Sequence, residues 1–240
     1  MPPRITTGDA VFLDFDGTLV EIAPSPSTVQ PAGYLGALLE SSSRHVGAAL
    51  AIVSGRPIQD IDCILAPLVL PVAGLHGLER RGADGAYKLP PALPRFDELR
   101  AALRRFVAER PGLLLEDKGA ALALHYRARP ELAAETTAAL ETILGSARSG
   151  IAIQHGKAVM ELRPEGADKG TAIAAFMAEA PFAGRRPIFV GDDMTDEAAF
   201  RAVRTQGGVA VRVGEAADTA AQWHLADVTA VHAWLADRGS

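Results

Sequence analysis

Short unbroken apolar runs alternate along this chain with stretches in which apolar residues recur every three or four positions. The first pattern reads as buried strand and the second as helix with one face against a core. Residues 10–17 form the first apolar run and end in Asp14, Phe15, Asp16 and Gly17. Helical spacing follows over 28–40, and a second buried run covers 46–53 and leads into Ser54, Gly55, Arg56 and Pro57. Proline suits the first turn of a helix, so a helix is expected over 58–65, with a short strand over 69–73 behind it.

The middle of the chain changes character. Residues 96–108 give an amphipathic helix, 113–116 and 121–126 a pair of strands, 132–144 another helix, and 151–154 with 158–162 a second pair. Two hairpins and two helices predict a small antiparallel sheet with helices on one face. Strand and helix then alternate again: helix over 169–179, strand over 187–190, helix over 195–203, strand over 208–213 and a last helix near 228–235. The prolines at 90–94 read as a linker into the middle segment, and 163–166 as the way back.

The expected fold is therefore α/β. A doubly wound, mainly parallel, Rossmann-like core is formed by residues 1–93 and 166–240, and an α+β domain is inserted at 94–165. Parallel strands need crossover helices, and ligands of such sheets gather at the carboxyl ends of the strands. That rule puts Asp14, Asp16, Ser54, Asp192 and Asp193 on one rim.

Composition narrows the chemistry. The chain has 240 residues, 48% hydrophobic and 22% charged, ordinary values for a globular protein. Its 29 acidic and 24 basic residues leave a net charge of −5, and aromatic residues are only 5%. No basic platform for nucleic acid is expected. A single cysteine, Cys63, excludes an internal disulfide and a Cys-rich zinc site. No apolar run approaches the roughly 20 residues of a membrane helix, and residues 1–10 lack a signal-peptide core, so the cytoplasm is the expected compartment. P-loop, nucleophile-elbow and dinucleotide-binding signatures are all absent. Only four of the 24 basic residues are lysines: Lys88, Lys118, Lys157 and Lys169. Lysine offers a compact point charge where arginine offers a planar fork, so positions that keep it in an arginine-rich chain attract attention.

Asp14 and Asp16 lie two apart on a strand and so face the same side. Carboxylates that close repel unless a cation or proton separates them. Asp192 and Asp193 end a second predicted strand. Clustered carboxylate oxygens suit Mg²⁺, a hard cation. The bland readings are loop acids, helix caps and an ordinary strand-to-helix turn at Ser54. They weaken because the pairs occur together and in order.

The segment Asp14–Phe15–Asp16–Gly17–Thr18–Leu19 resembles the first motif of the phosphatases of the haloacid dehalogenase superfamily. Ser54 at a strand end, Lys169 opening a helix, and Gly191–Asp192–Asp193–Met194–Thr195–Asp196 resemble the second, third and fourth. The inserted segment sharpens the likeness. Glu116–Asp117–Lys118–Gly119, His125–Tyr126–Arg127 and Gly156–Lys157–Ala158–Val159–Met160–Glu161 resemble the trehalose-6-phosphate phosphatases.

That resemblance implies a mobile cap inserted between the second and third motifs, and hydrolysis of trehalose 6-phosphate through an aspartyl-phosphate. It makes Asp14 the nucleophile, Asp16 the acid and base, and Asp14, the Asp16 carbonyl and Asp192 the holders of Mg²⁺. Ser54 and Lys169 would grip phosphate, while Asp193 and Asp196 would support the metal through water or position Lys169. Glu116, Lys118 and Glu161 would meet sugar hydroxyls, with Arg127 and Lys157 nearby and Arg56 reaching in from the core. An acid at 196 equally suits the first turn of a helix, where it complements the dipole, and Glu197 is read that way. His76 is expected to be structural or to sit near the substrate entrance. A monomer is expected, with a sugar phosphate as its small-molecule partner and trehalose-phosphate synthase activity on a separate protein. Alternatives are a capped phosphatase for sucrose 6-phosphate or glucosylglycerol phosphate, a sugar phosphomutase, and a non-catalytic sugar-phosphate sensor.

Overall fold

The computed structural model describes residues 1–23, 28–89, 96–145, 150–156, 158–215 and 218–237. The chain divides into two compact units, one of Met1–Leu89 with Ala167–Ser240, the other of Pro90–Gly166. The linker expected at 90–94, and with it the boundary expected at 93/94, lies outside the described residues.

In the first unit, strands β1 (Asp9–Leu13), β2 (Leu50–Val53), β3 (Val72–Gly74), β4 (Glu79–Arg81) and β5 (Tyr87–Lys88) join strands from the end of the chain. The β6 to β9 strands belong to the second unit. β10 (Arg186–Gly191), β11 (Val209–Val213) and β12 (Trp223–Leu225) complete one eight-stranded sheet in the order β12-β11-β10-β1-β2-β3-β4-β5. Its pairings from β12 to β3 are all parallel, and β4 and β5 add antiparallel pairs at one edge. This is the doubly wound α/β architecture expected from the alternation of patterns. β1 and β2 are buried at every position, as parallel strands covered on both faces must be.

The helices of this unit are α1 (Leu35–His45), α2 (Ile58–Leu65), α5 (Lys169–Met177), α6 (Glu197–Thr205) and α7 (Val228–Ala236), with α3 and α4 in the second unit. Phe12 of β1 stacks on Phe182 at 5.4 Å and meets Phe176 of α5 at 5.9 Å, and Phe189 of β10 meets Phe200 of α6 at 5.4 Å. These aromatic contacts fasten α5 and α6 to the central strands. From β1 the chain moves to β2 on one side, and from β10 to β11 on the other. The cleft between β1 and β10 is therefore the switch point, where such sheets collect ligands.

Several features depart from the sequence reading, among them β2 and β3, which begin at Leu50 and Val72 rather than at 46 and 69. Helix α1 starts at Leu35 rather than 28 and runs on through Ser41, Ser42 and Ser43 to His45. Pro31 and Gly33 would lie inside a helix begun at 28, where both are unfavourable, while Ser42 is buried with its hydroxyl donating to the Leu235 carbonyl at 3.4 Å. β4 carries Glu-Arg-Arg, with no apolar pattern to read. Its Arg80 and Arg81 are nonetheless buried, Arg80 on Glu179 and Arg81 on both oxygens of Asp62 at 2.6 Å. β5 and β12, two and three residues long, carry too little pattern to be seen.

The second unit holds α3 (Phe96–Ala108), β6 (Leu114–Asp117), β7 (Leu122–His125), α4 (Ala133–Leu144), β8 (Ile151–Gly156) and β9 (Val159–Pro164). Its sheet is antiparallel throughout, in the order β6-β7-β9-β8. Leu122, Leu124, Met160, Leu162 and Ile151 pack with Phe96, Leu99 and Leu103 of α3 and with Leu140 and Leu144 of α4. Side chains alternate across a strand, so Glu116, Ala123, His125, Gln154 and Glu161 share the opposite face.

Candidate active site

β1 and β10 pair with Leu13 opposite Val190, and the Asp14 amide extends the ladder to the Val190 carbonyl at 2.9 Å. That register brings Asp14 beside the Gly191–Asp192 turn. Gly17 has φ +79°, and a Cβ there would collide with the Asp192 carboxylate. Glycine is needed for both the left-handed backbone and the close approach. Thr18, fully buried, aims its hydroxyl at Asp192 Oδ1 at 3.5 Å.

Lys169 is the first residue of α5, which Asp168 caps by accepting from the Thr171 amide at 2.7 Å. The start of that helix delivers the lysine Nζ to Asp14 Oδ1 at 2.7 Å and to Asp196 Oδ1 at 2.6 Å. All three groups are buried. Asp196 is held in turn by the Asp193 amide, which donates to its Oδ2 at 2.9 Å. Of the two readings for Asp193 and Asp196, the lysine contact falls to Asp196. The Asp193 carboxylate turns to the Met194 amide at 2.7 Å as a helix cap.

One oxygen each from Asp14, Asp192 and Asp196 lie within 4.8 Å of one another. Three carboxylates face one lysine, and the electrostatics follow. Burial raises the Asp14 carboxyl well above its usual range against the pull of Lys169, with Asp196 and Asp192 adding to the rise. Burial, then Asp196, push Asp192 up to about 6. Burial would depress Lys169, but Asp14 and Asp196 raise it above its usual value, so the ammonium stays charged. This hard-oxygen set short of positive charge fits a divalent cation such as Mg²⁺. Asp14 and Asp192 are the natural holders, because both oxygens of Asp196 are engaged by Lys169 and the Asp193 amide.

Asp16 sits apart from this cluster. Arg56 grips it with Nε on Oδ2 at 2.6 Å and Nη2 on Oδ1 at 2.7 Å, a bidentate pair. Ser54, buried at the end of β2, accepts the Arg56 amide on Oγ at 3.1 Å. That bond uses a lone pair, so the hydroxyl hydrogen remains available to another acceptor.

In the second unit, Glu116 Oε2 meets His125 Nε2 at 2.8 Å, and Lys118 Nζ lies 3.6 Å from Glu161 Oε1. The His125 contact holds the Glu116 carboxyl below its usual range despite burial, with Lys118 helping. Glu116, Ala123, Glu161 and Gln154 stand directly opposite one another across all four strands. Neighbouring Asp117 is tied by Arg100 and Arg104 of α3 at 2.8 and 3.0 Å. Arg127 is exposed beyond β7. Lys157 lies outside the described residues.

Sequence reasoning passed over Arg212, buried in the otherwise apolar β11. Its Nη1 donates to the Asp193 carbonyl at 3.2 Å and lies 3.7 Å from Glu197 Oε1. Glu197 also accepts the Ala220 amide at 2.8 Å, so it has specific partners beyond the helix dipole. A charge inside an apolar run was the available signal.

Residues 12–229 match the model of the family described as trehalose-phosphatase. A probable trehalose-phosphate phosphatase of Sinorhizobium fredii is 46% identical over 205 residues, covering 85% of this chain and 77% of that protein. The trehalose-6-phosphate phosphatase of Escherichia coli is 41% identical over 236 residues, covering 97% and 87%. Among solved structures, a trehalose-6-phosphate phosphatase related protein superposes with TM-score 0.79 at 30% identity, covering 94% of each chain. A Bacteroides thetaiotaomicron phosphatase of the haloalkanoate (HAD) enzyme superfamily gives TM-score 0.63 at 18% identity, covering 98% and 96%, a likeness of fold.

Proposed function

The chain belongs to the trehalose-phosphatase family, and on that premise we propose that it hydrolyses trehalose 6-phosphate to trehalose and inorganic phosphate through an aspartyl-phosphate on Asp14. The observation that carries this reading is the buried trio of Asp14, Lys169 and Asp196 beside Asp192 at the switch point of the sheet. A carboxylate nucleophile divides one difficult displacement into two easier ones. An Asp14 oxygen bonds phosphorus as the bond from phosphorus to the sugar oxygen breaks, and the leaving oxygen takes a proton from Asp16. Asp16 then accepts a proton from water as that water displaces the Asp14 carboxylate from phosphorus. Its two oxygens both accept from Arg56 in this structure, and each keeps a further lone pair that can take the proton.

Lys169 offsets the charge that gathers on phosphate, and Asp196 fixes where it points. The Ser54 hydroxyl donates to a phosphate oxygen. Mg²⁺, when bound by the Asp14 and Asp192 carboxylates and the Asp16 carbonyl, supplies the positive charge that lets one anion approach another. Sugar recognition is assigned to Glu116, Lys118 and Glu161 of the second unit. Carboxylate oxygens are strong acceptors for sugar hydroxyls, and Glu116 is half-buried while Glu161 is buried. Arg127 and Lys157 are retained as substrate-side cations on the strength of the resemblance.

The deciding experiment measures phosphate release from trehalose 6-phosphate with and without Mg²⁺, beside sucrose 6-phosphate, glucose 6-phosphate and p-nitrophenyl phosphate. Metal-dependent release that favours trehalose 6-phosphate is expected. Preference for another ester would overturn the sugar assignment and keep the chemistry. No release by folded protein would overturn both.

A further inference from the structure

The turn after β3 is the most strained backbone of the first unit. Leu75 and His76 are consecutive non-glycine residues in the left-handed region, at φ +50° and +55°, and Gly77 follows at +100°. Such conformations persist only where the surroundings over-determine them, and they gather at functional sites. The surroundings here are two of the segments that carry the proposed phosphate grip.

On one side, the Leu75 amide donates to the Arg56 carbonyl at 3.0 Å and the His76 amide to the Ser54 carbonyl at 2.9 Å. The carbonyls on both sides of Gly55 are thus held by the two strained residues. The His76 imidazole, itself buried, lies against Gly55: a Cβ at that position would come within 2.6 Å of Nε2 and 2.8 Å of Cε1. On the other side, a Cβ on Gly77 would come within 2.8 Å of the Asp168 carbonyl and 3.0 Å of Ala172 Cβ. Asp168 caps α5, whose first residue is Lys169. One three-residue turn is therefore packed between the Ser54–Arg56 segment and the helix start that carries Lys169.

We propose that the Leu75–His76–Gly77 turn is a spacer that fixes the Ser54 hydroxyl and the Lys169 ammonium at their working separation, with His76 a positioning residue that acts through Gly55. The inference deepens the proposed function and rests on Ser54 and Lys169 gripping phosphate. Relaxing the spacer misplaces groups that every phosphate ester needs, and small misplacements of such groups are costly. Its loss therefore lowers kcat on large and small esters alike.

The test is steady-state kinetics on trehalose 6-phosphate and p-nitrophenyl phosphate, well below each variant's melting temperature, with Ser54→Ala as the reference. His76→Ala and His76→Asn are both made, because asparagine tolerates left-handed backbone and keeps a folded variant in hand. Each is expected to lose about tenfold or more in kcat on both esters, with KM nearly unchanged. Gly55→Ala is expected to lose as much. The double variant Gly55→Ala/His76→Ala should regain much of that loss, since the new methyl occupies space the imidazole has left. A role confined to stability would lower the melting temperature and give neither the kcat loss nor the rescue. Wild-type kcat in folded His76→Asn, or a double variant no better than Gly55→Ala, overturns the spacer. Full activity in Ser54→Ala would overturn the phosphate-grip reading, and the spacer with it.

Discussion

The two units carry polar residues in opposite ways. In the first, Asp14, Lys169 and Asp196 are removed from water and locked by contacts of 2.6 and 2.7 Å, with charge left over on the acidic side. In the second, Glu116, Gln154 and Glu161 stand in a row on a sheet face, and the Lys118–Glu161 contact is a looser 3.6 Å. A buried cluster with a charge deficit suits chemistry on a phosphoryl group whatever ester it belongs to. A row of hydrogen-bonding groups suits the choice among esters. On the proposed function, variants in the two units should separate reaction from selectivity.

The largest effect is expected from the buried cluster. Asp14→Asn should lower kcat on the order of 10⁴-fold on every ester, with circular dichroism unchanged. Residual activity near wild type would remove Asp14 as nucleophile. Lys169→Met should follow, with a loss of about 10²–10³-fold on all esters, measured at saturating Mg²⁺. Next comes the second unit. Glu161→Ala should cost roughly tenfold to 100-fold in kcat/KM on trehalose 6-phosphate and leave p-nitrophenyl phosphate almost untouched. Equal losses on both substrates would erase the distinction between the units.

The smallest effect is a shift in stability. Asp192, with its carboxyl raised to about 6, adds stability in acid that is lost as pH rises through that value and the group ionises beside Asp196, with Lys169 offsetting only part of the charge. Mg²⁺ should reverse this loss. Thermal unfolding should show a rise of about 5 °C with millimolar Mg²⁺ at pH 8 and almost none at pH 5. Asp192→Asn should abolish the difference. An equal rise at both pH values would place the cation elsewhere.

Much of this was legible in the chain. The helices at Ile58–Leu65 and Phe96–Ala108 begin and end where pattern and proline said, because their apolar stripes repeat cleanly. Asp14 and Asp192 stood out because each follows an unbroken apolar run. The Asp16–Arg56 pair did not, since the two residues are 40 positions apart and nothing local links them. Arg56 was read as a residue for substrate, and the fold gives it Asp16 as its partner. β4 was invisible for a related reason: its arginines are buried by partners at Asp62 and Glu179, far along the chain. The helical spacing read over 28–40 stops short of the serines of α1, one of which, Ser42, bonds the Leu235 carbonyl of α7.

The sequence by itself determined the alternation of strand and helix, the insertion, and the order of acidic motifs at strand ends. These are local properties, set by periodicity and by which residues can follow a buried strand. Only the tertiary structure decided which acid holds Lys169, which arginine holds Asp16, and that Leu75 and His76 accept a left-handed turn between two motif segments. Each depends on groups from distant parts of the chain meeting within hydrogen-bond range, and no local pattern encodes such a meeting.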